Sequence, residues 1–241
     1  MNNRIKYWLK RISPFALSKN HQYDRLTSRI LKRYCRKDSN GVDIGAHEGD
    51  ILKLLLRFAP DGHHWGFEPI PVLYDRLLAR FALYPNCMIY PYALSDRDGQ
   101  SLFNHVLTNP AYSGLQKRSY DHPSEKDEII TVDTQRLDAV IPAQTRVDII
   151  KIDVEGGEYD VLRGANRILL QYHPLLIFEF GTAAKAYHVD ASMIYDFLEE
   201  SGYRLYLLGK FLKKSMPLDK HEFTHRVMTG TDYYFVAGAS I

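Results

Sequence analysis

The chain has 241 residues, room for one domain with embellishments or two small ones, and its 45% hydrophobic and 25% charged residues are ordinary for a soluble globular protein. Two distant cysteines, Cys35 and Cys87, exclude a disulfide framework or a zinc cluster and point to a reducing compartment. No apolar run approaches the roughly 20 residues of a membrane span, and the basic N-terminus lacks the apolar core of a signal peptide, so the expected location is the cytoplasm.

The net charge of +2 hides an asymmetry. Residues 1–40 hold eleven Lys or Arg against two Asp, a net +9, and the remaining residues hold 20 basic against 27 acidic groups, a net −7. Residues 4–12, RIKYWLKRI, set Ile5, Trp8, Leu9 and Ile12 on one helical stripe flanked by Arg4, Lys6, Lys10 and Arg11. The stripe suits a peripheral contact with an anionic membrane or glycolipid, or a helix docked on the acidic remainder. Ser13-Pro14 ends the pattern, and a second helix is predicted from Tyr23 to Tyr34 with Leu26, Ile30 and Leu31 inward. Residues 1–37 therefore read as a basic helical extension and 38–241 as the main domain.

Gly41–Asp50, GVDIGAHEGD, opens that domain. Val42 and Ile44 are a short apolar strand carrying Asp43; Gly45 and Gly49 allow a tight turn; the apolar run from Ile51 to Phe58 is a helix. A helix N-terminus presents unpaired N–H groups and a positive dipole end, so the loop is suited to a carboxylate or phosphate. Trp65-Gly66-Phe67 is a second strand ending on Glu68. Pro71 opens a helix with Val72, Leu73, Leu77, Leu78 and Phe81 inward, and 87–94, CMIYPYAL, is a third strand. This β-α-β-α-β order predicts a doubly wound, mostly parallel α/β sheet. Residues 96–135 break the rhythm: Ser101–Val106 and Glu128–Thr134 read as strands around a polar segment without apolar period, and the insertion reads as a substrate cover. Val147–Asp153 is a fourth strand; EGGE leads into one helix with Val161, Leu162, Ala165, Ile168 and Leu169 on one face; Pro174–Phe180 is a fifth strand. Asp190 caps a helix containing Met193, Ile194, Phe197 and Leu198, closed by Gly202. Tyr203–Leu208 and Tyr233–Val236 are predicted as a final antiparallel pair with no helical pattern between them.

In open α/β sheets ligands bind beyond the carboxyl ends of the strands. Glu68 follows Gly45 by 23 residues, close to the spacing at which an acid takes ribose hydroxyls in dinucleotide folds. The glycine pattern G-x-x-x-G departs from the NAD fingerprint, and no Walker lysine is present, which counts against dehydrogenases and P-loop enzymes. Asp153, Glu155 and Glu158 crowd three acids where a buried strand leaves the sheet. Crowded carboxylates can raise one another's pKa and serve as proton acceptors; they would equally suit a hard divalent cation such as Mg²⁺. A helix dipole accounts for Glu158 but not for Asp153.

With VDIGAHEGD, FEPIPVLYDRL, YALSDRDG, DIIKIDVEGGEYDVLRGA, HPLLIFEF and the later SGY in this order, the chain resembles the FkbM-type S-adenosylmethionine-dependent methyltransferases over residues 38–208. The resemblance implies a class I methyltransferase (Rossmann-like) fold with a final antiparallel strand and S-adenosylmethionine as cofactor. The cofactor-binding set it implies is Asp43, Gly45, Ala46, His47, Gly49, Glu68, Pro69, Ala93, Leu94 and Asp153. The Gly45–Gly49 loop takes the amino-acid end, Glu68 the ribose, and Ala93-Leu94 lies near the adenine. His47 stands where the family usually has Asn; a backbone N–H contact survives that change. Family members methylate hydroxyls of sugars and secondary metabolites, and the chain lacks both the Asn/Asp-Pro-Pro-aromatic signature of N-methyltransferases and a Pro-Cys nucleophile motif. The expected activity is therefore O-methylation of a glycan or small-molecule hydroxyl, with Asp153, Glu155 and Glu158 as candidate catalytic acids and metal use left open. RNA methylation and a silent cofactor-binding scaffold are the competing readings. The basic residues are not interleaved with a stacking platform, so no nucleic-acid partner is expected.

Overall fold

The computed structural model describes residues 18–118, 120 and 124–239. The predicted stripe at 4–12 lies outside the described residues. Helix α1 (Lys19–Tyr34) starts four residues before its predicted origin because the Ser18 hydroxyl accepts the His21 N–H and caps a polar first turn that carries no apolar period. Tyr23, Thr27, Ile30 and Leu31 are its buried face, and Leu26 is only partly covered.

Strand β1 (Gly41–Ile44), helix α2 (Asp50–Phe58), strand β2 (His64–Phe67), helix α3 (Pro71–Phe81) and strand β3 (Cys87–Tyr90) follow in the predicted order. Val72 and Leu78, predicted inward on α3, are exposed; Leu73, Leu77 and Phe81 alone form its buried stripe. The single strand predicted for 87–94 is two. Pro91, which lacks an N–H for a ladder bond, separates β3 from β4 (Tyr92–Leu94), and β4 leaves the main sheet. Strands β5 (Gly99–Val106) and β6 (Asp127–Gln135) pair antiparallel, and β4 joins β6 in parallel, so the 96–135 insertion is built around a three-stranded sheet of order β4-β6-β5. Phe103, Val132, Ala93, Ile70 and Leu73 form a small core that fastens it to α3.

Helix α4 (Leu137–Val140) leads to β7 (Ile149–Ile152), buried along its length. The single helix predicted after EGGE is broken into α5 (Glu158–Gly164) and α6 (Asn166–Tyr172). The break has a cause: the Asp138 carboxylate accepts the N–H groups of Arg167 (2.7 Å) and Ile168 (3.1 Å), capping a new helix from outside. All five residues predicted for the inward face of this segment are buried. Strand β8 (Leu175–Glu179) and α7 (Ala191–Glu200) follow, and Asp190 caps α7 as predicted, accepting from Ser192 and Met193 N–H. Met193, however, is exposed. Strand β9 (Tyr203–Leu207) and the last strand β10 (Tyr234–Ala239) are antiparallel neighbours, but α8 (Leu208–Leu212) and α9 (Lys220–Met228) lie between them where no helix was predicted.

The main sheet has the order β3-β2-β1-β7-β8-β10-β9, parallel except for β10, which runs antiparallel to both its neighbours. The fold is the mostly parallel α/β, class I methyltransferase type that the motifs implied. Strand order reverses between β1 and β7, which pair directly with Asp43 opposite Lys151. The carboxyl ends of these strands open into one cavity, and no helix among the described residues is long and apolar enough to cross a membrane.

Candidate active site

The cavity measures about 1020 Å³, at the upper end of the range typical of small-molecule sites. Its first wall is the loop after β1. Gly45 has φ +77°, and a side chain there would place its Cβ 1.9 Å from the Asp153 carbonyl oxygen, so this loop can approach the loop after β7 only with glycine. Gly45 and Ala46 N–H both bond to Phe67 O, at 3.0 and 2.9 Å, which ties the turn to β2. Gly49, also at positive φ, caps α2 and packs beneath Phe81 and Leu77; it turns the chain without reaching the cavity surface.

His47 adopts φ +48°, a left-handed conformation that Asn tolerates well. Its N–H, expected to remain a cofactor contact despite the loss of Asn, is instead given to Glu68 Oε2 at 2.8 Å, while Ile70 N–H bonds Oε1 at 3.0 Å. Glu68 is thereby locked at the end of β2 with both oxygens oriented by backbone donors. Burial pushes its carboxyl up to about 7 against the pull of those two bonds.

Asp43 is the more unusual group. It is 1% exposed, and neither oxygen finds a partner within hydrogen-bond geometry among the described residues. Burial raises it to about 7, with the Lys151 charge opposing and the Asp153 and Glu68 charges adding to the rise. Unpaired buried carboxylates are costly, so this one calls for a donor or cation from a ligand. Ala93 and Leu94, expected near the adenine, and Pro69 of the expected cofactor set line the same cavity.

The opposite wall is the acid cluster. One oxygen each of Asp153, Glu155 and Glu179 fall within 4.8 Å of one another. Asp153 Oδ2 takes the Lys151 ammonium at 2.5 Å and the Tyr234 hydroxyl. Its side chain is 24% exposed, reached by solvent through the cavity. Burial favours its neutral form, but the Lys151 charge and the bonds from Lys151 and Tyr234 outweigh that and hold it below its ordinary range. Glu155, at φ +56°, pairs with Arg118 from the insertion; burial raises it to about 8 although the Arg118 charge pulls the other way. Glu179 is raised well above its ordinary value by burial and by the Asp153 charge. Of the three, Asp153 is thus the one held below its ordinary range, while burial raises the other two. Glu158 plays a different part: its Oε1 turns back to accept Val154 and Gly156 N–H at 3.2 and 3.1 Å, bracing the EGG loop from below.

All the sequence-predicted residues except Gly49 line the cavity. Lys151, Glu179, Arg118 and Tyr234 were not given a role among them, although Glu179 falls at the carboxyl end of the fifth strand, where ligand-facing polar residues are expected. The first two had a signal: a lysine inside VDIIKID and an acid inside IFEF interrupt otherwise apolar strands, and a buried charge needs a partner. The cluster could in principle ligate a hard cation, but Asp153 and Glu155 are already matched to Lys151 and Arg118, which a metal ion would have to displace.

Comparison with known proteins agrees with this geometry. The sequence model of the Methyltransferase FkbM domain matches residues 43–205. The chain is 28% identical over 141 residues to the 2-O-methyltransferase NoeI of Sinorhizobium fredii and 29% identical over 145 residues to Methyltransferase 1 of Beauveria bassiana. Each match covers 53% of this chain and 58% of the relative, so the chain spans little more than half the length of the curated relatives it matches. Among solved structures, the methyltransferase FkbM of Methylobacillus flagellatus superposes with a TM-score of 0.52 at 15% identity, over 92% of this chain and 51% of that one, a likeness of fold. The chain belongs to the FkbM methyltransferase family.

Proposed function

We propose that the protein is an S-adenosylmethionine-dependent O-methyltransferase whose acceptor is a hydroxyl of a sugar, glycan or small metabolite. The observation that carries the reading is the pairing of an unpartnered, buried Asp43 at the end of β1 with a backbone-locked Glu68 at the end of β2, both opening into one cavity. These residues fit the cofactor. Asp43 would take its ammonium group, Glu68 its ribose hydroxyls, and Ala93 and Leu94 would cover its base. The bound cofactor would supply a methyl group on an electron-poor sulfonium.

The chain's own residues supply alignment and a proton acceptor. Asp153 is the cavity carboxylate that stays charged at neutral pH, so an acceptor hydroxyl lying against it can hand over its proton as the oxygen loses electron density. Lys151 and Tyr234 hold that carboxylate in place. Glu155 and Glu179, whose carboxyls burial raises, lie beside it, and Glu158 fixes the loop that carries the site. Tyr112, Ser113, Leu115 and Arg118 of the insertion line the same cavity, consistent with a cover that limits water. Oxygen as acceptor is supported by the name of the NoeI relative.

Titration of the full chain with S-adenosylmethionine by calorimetry tests this reading. One bound cofactor per chain is expected; a folded protein that takes up no cofactor would end it.

A further inference from the structure

We propose that α1 and the start of β10 complete an acceptor chamber beside the cofactor end of the cavity, that the chamber takes a polyhydroxylated acceptor bearing no anionic group, and that Asp24 is a specificity-determining residue within it. The inference rests on the methyltransferase reading and adds the charge class of the acceptor.

The matched family domain covers residues 43–205. Asn20, Asp24 and Thr27 of α1, and Tyr233 and Tyr234 at the start of β10, lie outside that span, yet they line the same cavity as Asp153 and Glu155. Helix α1 is fastened there rather than laid loosely on the surface. Tyr23 OH bonds Asp232 at 3.0 Å; its ring packs on Tyr233 and Tyr234 with centroids 4.9 and 5.0 Å apart; Tyr233 OH bonds Asn20; and Lys19 bonds the Thr231 carbonyl. Asp24 is near enough to Lys151, Asp153 and Tyr234 for their charges to act on one another.

The charge inventory of this end decides what it can hold. Asp24, Asp153, Glu155 and Glu179 line the cavity; Asp153 is held below its ordinary range by Lys151 and Tyr234, Asp24 lies exposed at the rim, and burial raises the carboxyls of Glu155 and Glu179. The cations are Lys151, paired with Asp153, and Arg118, paired with Glu155 and lying over the Tyr112 ring at 4.5 Å. Asp24 and Glu179 form no ion pair among the described residues. A phosphate, sulfate or carboxylate on the acceptor would have to pull Lys151 or Arg118 from its partner and then sit beside the carboxylate it had exposed. Hydroxyl groups meet no such conflict, because they donate to carboxylates, and the phenol rings of Tyr187, Tyr233 and Tyr234 add apolar surface with polar edges. The phosphates of an RNA would meet the same opposition.

The test uses the full chain loaded with S-adenosylhomocysteine, whose binding is measured first. Saturation-transfer NMR at low ionic strength then compares methyl α-glucoside and glucosamine with glucose 6-phosphate. The two sugars without an anionic group should show transfer, and glucose 6-phosphate should bind roughly tenfold or more weakly, since like charges at an interface suppress the wrong partner. Asp24→Lys should leave S-adenosylhomocysteine affinity unchanged, which reports a folded protein, and narrow or invert the ranking. Glucose 6-phosphate binding as well as the other two, no binding of any of the three, or a ranking untouched by Asp24→Lys would overturn the proposal. Failure of S-adenosylhomocysteine itself to bind would instead count against the methyltransferase reading.

Discussion

The two ends of the cavity are built on different principles. At the β1–β2 end the polar groups are held by backbone: Glu68 by His47 and Ile70 N–H, the glycine turn by Phe67 O. Asp43 has no hydrogen-bond partner within geometry among the described residues. At the β7–β8 end Asp153, Glu155 and Glu179 are held by one another and by Lys151 and Arg118, with Glu158 alone turned back onto backbone N–H groups. A backbone-fixed end suits a ligand that is the same in every turnover. An end made of side chains, with Asn20 and Asp24 brought from α1 and Arg118 from the insertion, can be altered residue by residue without disturbing the sheet, and that is where we propose acceptor choice lies.

The contrast can be broken most strongly at Asp153. General base catalysis contributes typically about 10²–10⁴-fold, so Asp153→Asn should lower turnover on the true acceptor at least about a hundredfold, measured below a melting temperature that also drops because Lys151 stays buried without its counter-charge. Near-normal turnover, measured as S-adenosylhomocysteine release, would pass the role to Glu155 or Glu179. If a divalent cation were needed instead, a chelator would abolish the wild-type rate.

A smaller effect separates the backbone-built end. At Gly45 the left-handed conformation costs a residue with a side chain roughly 1–2 kcal/mol, and the new Cβ would also meet the Asp153 carbonyl oxygen at 1.9 Å. Gly45→Ala should therefore lower stability by about 2–4 kcal/mol in denaturant unfolding. An unchanged midpoint would mean that the two loops are not pressed together.

A third effect is on pH dependence. Burial raises Asp43, Glu68 and Glu158 to about 7 and Glu155 to about 8. The folded protein therefore binds more protons than the unfolded chain between the ordinary carboxylate range and those values. Stability from these groups is complete below the unfolded pKa and is lost as pH rises through the folded one. Asp153, held low, works in the opposite sense and only at more acidic pH. The melting temperature of the ligand-free protein should fall between about pH 5 and about pH 8, and Asp43→Asn should flatten the fall. A melting temperature that rises over this range would contradict the burial of these acids.

The same contrast explains what could be read from the sequence. The β1–β2 end is contiguous: GVDIGAHEGD and FEP each hold a strand, its turn and its polar residue, so Asp43, Gly45 and Glu68 were legible from spacing and period. The mostly parallel sheet followed from the β-α-β rhythm, and its antiparallel end from the family motifs. The acceptor end is assembled from residues more than a hundred positions apart, such as Asp24 and Tyr234, and no local pattern announces such a meeting. Three misread elements share a cause that local pattern cannot carry: Pro91 sends β4 to another sheet, Asp138 starts α6 from outside, and α8 and α9 sit between β9 and β10 on short, weakly periodic segments.

The central claim is that the two ends have separate tasks, and one titration tests it without knowledge of the acceptor: S-adenosylhomocysteine binding by calorimetry to the wild type, Glu68→Ala and Asp153→Asn. Loss of a charged hydrogen-bonding group costs about 2–3 kcal/mol, so Glu68→Ala should weaken binding by that amount, while Asp153→Asn should lose clearly less. Equal affinity in wild type and Glu68→Ala, or a greater loss in Asp153→Asn, would contradict the account.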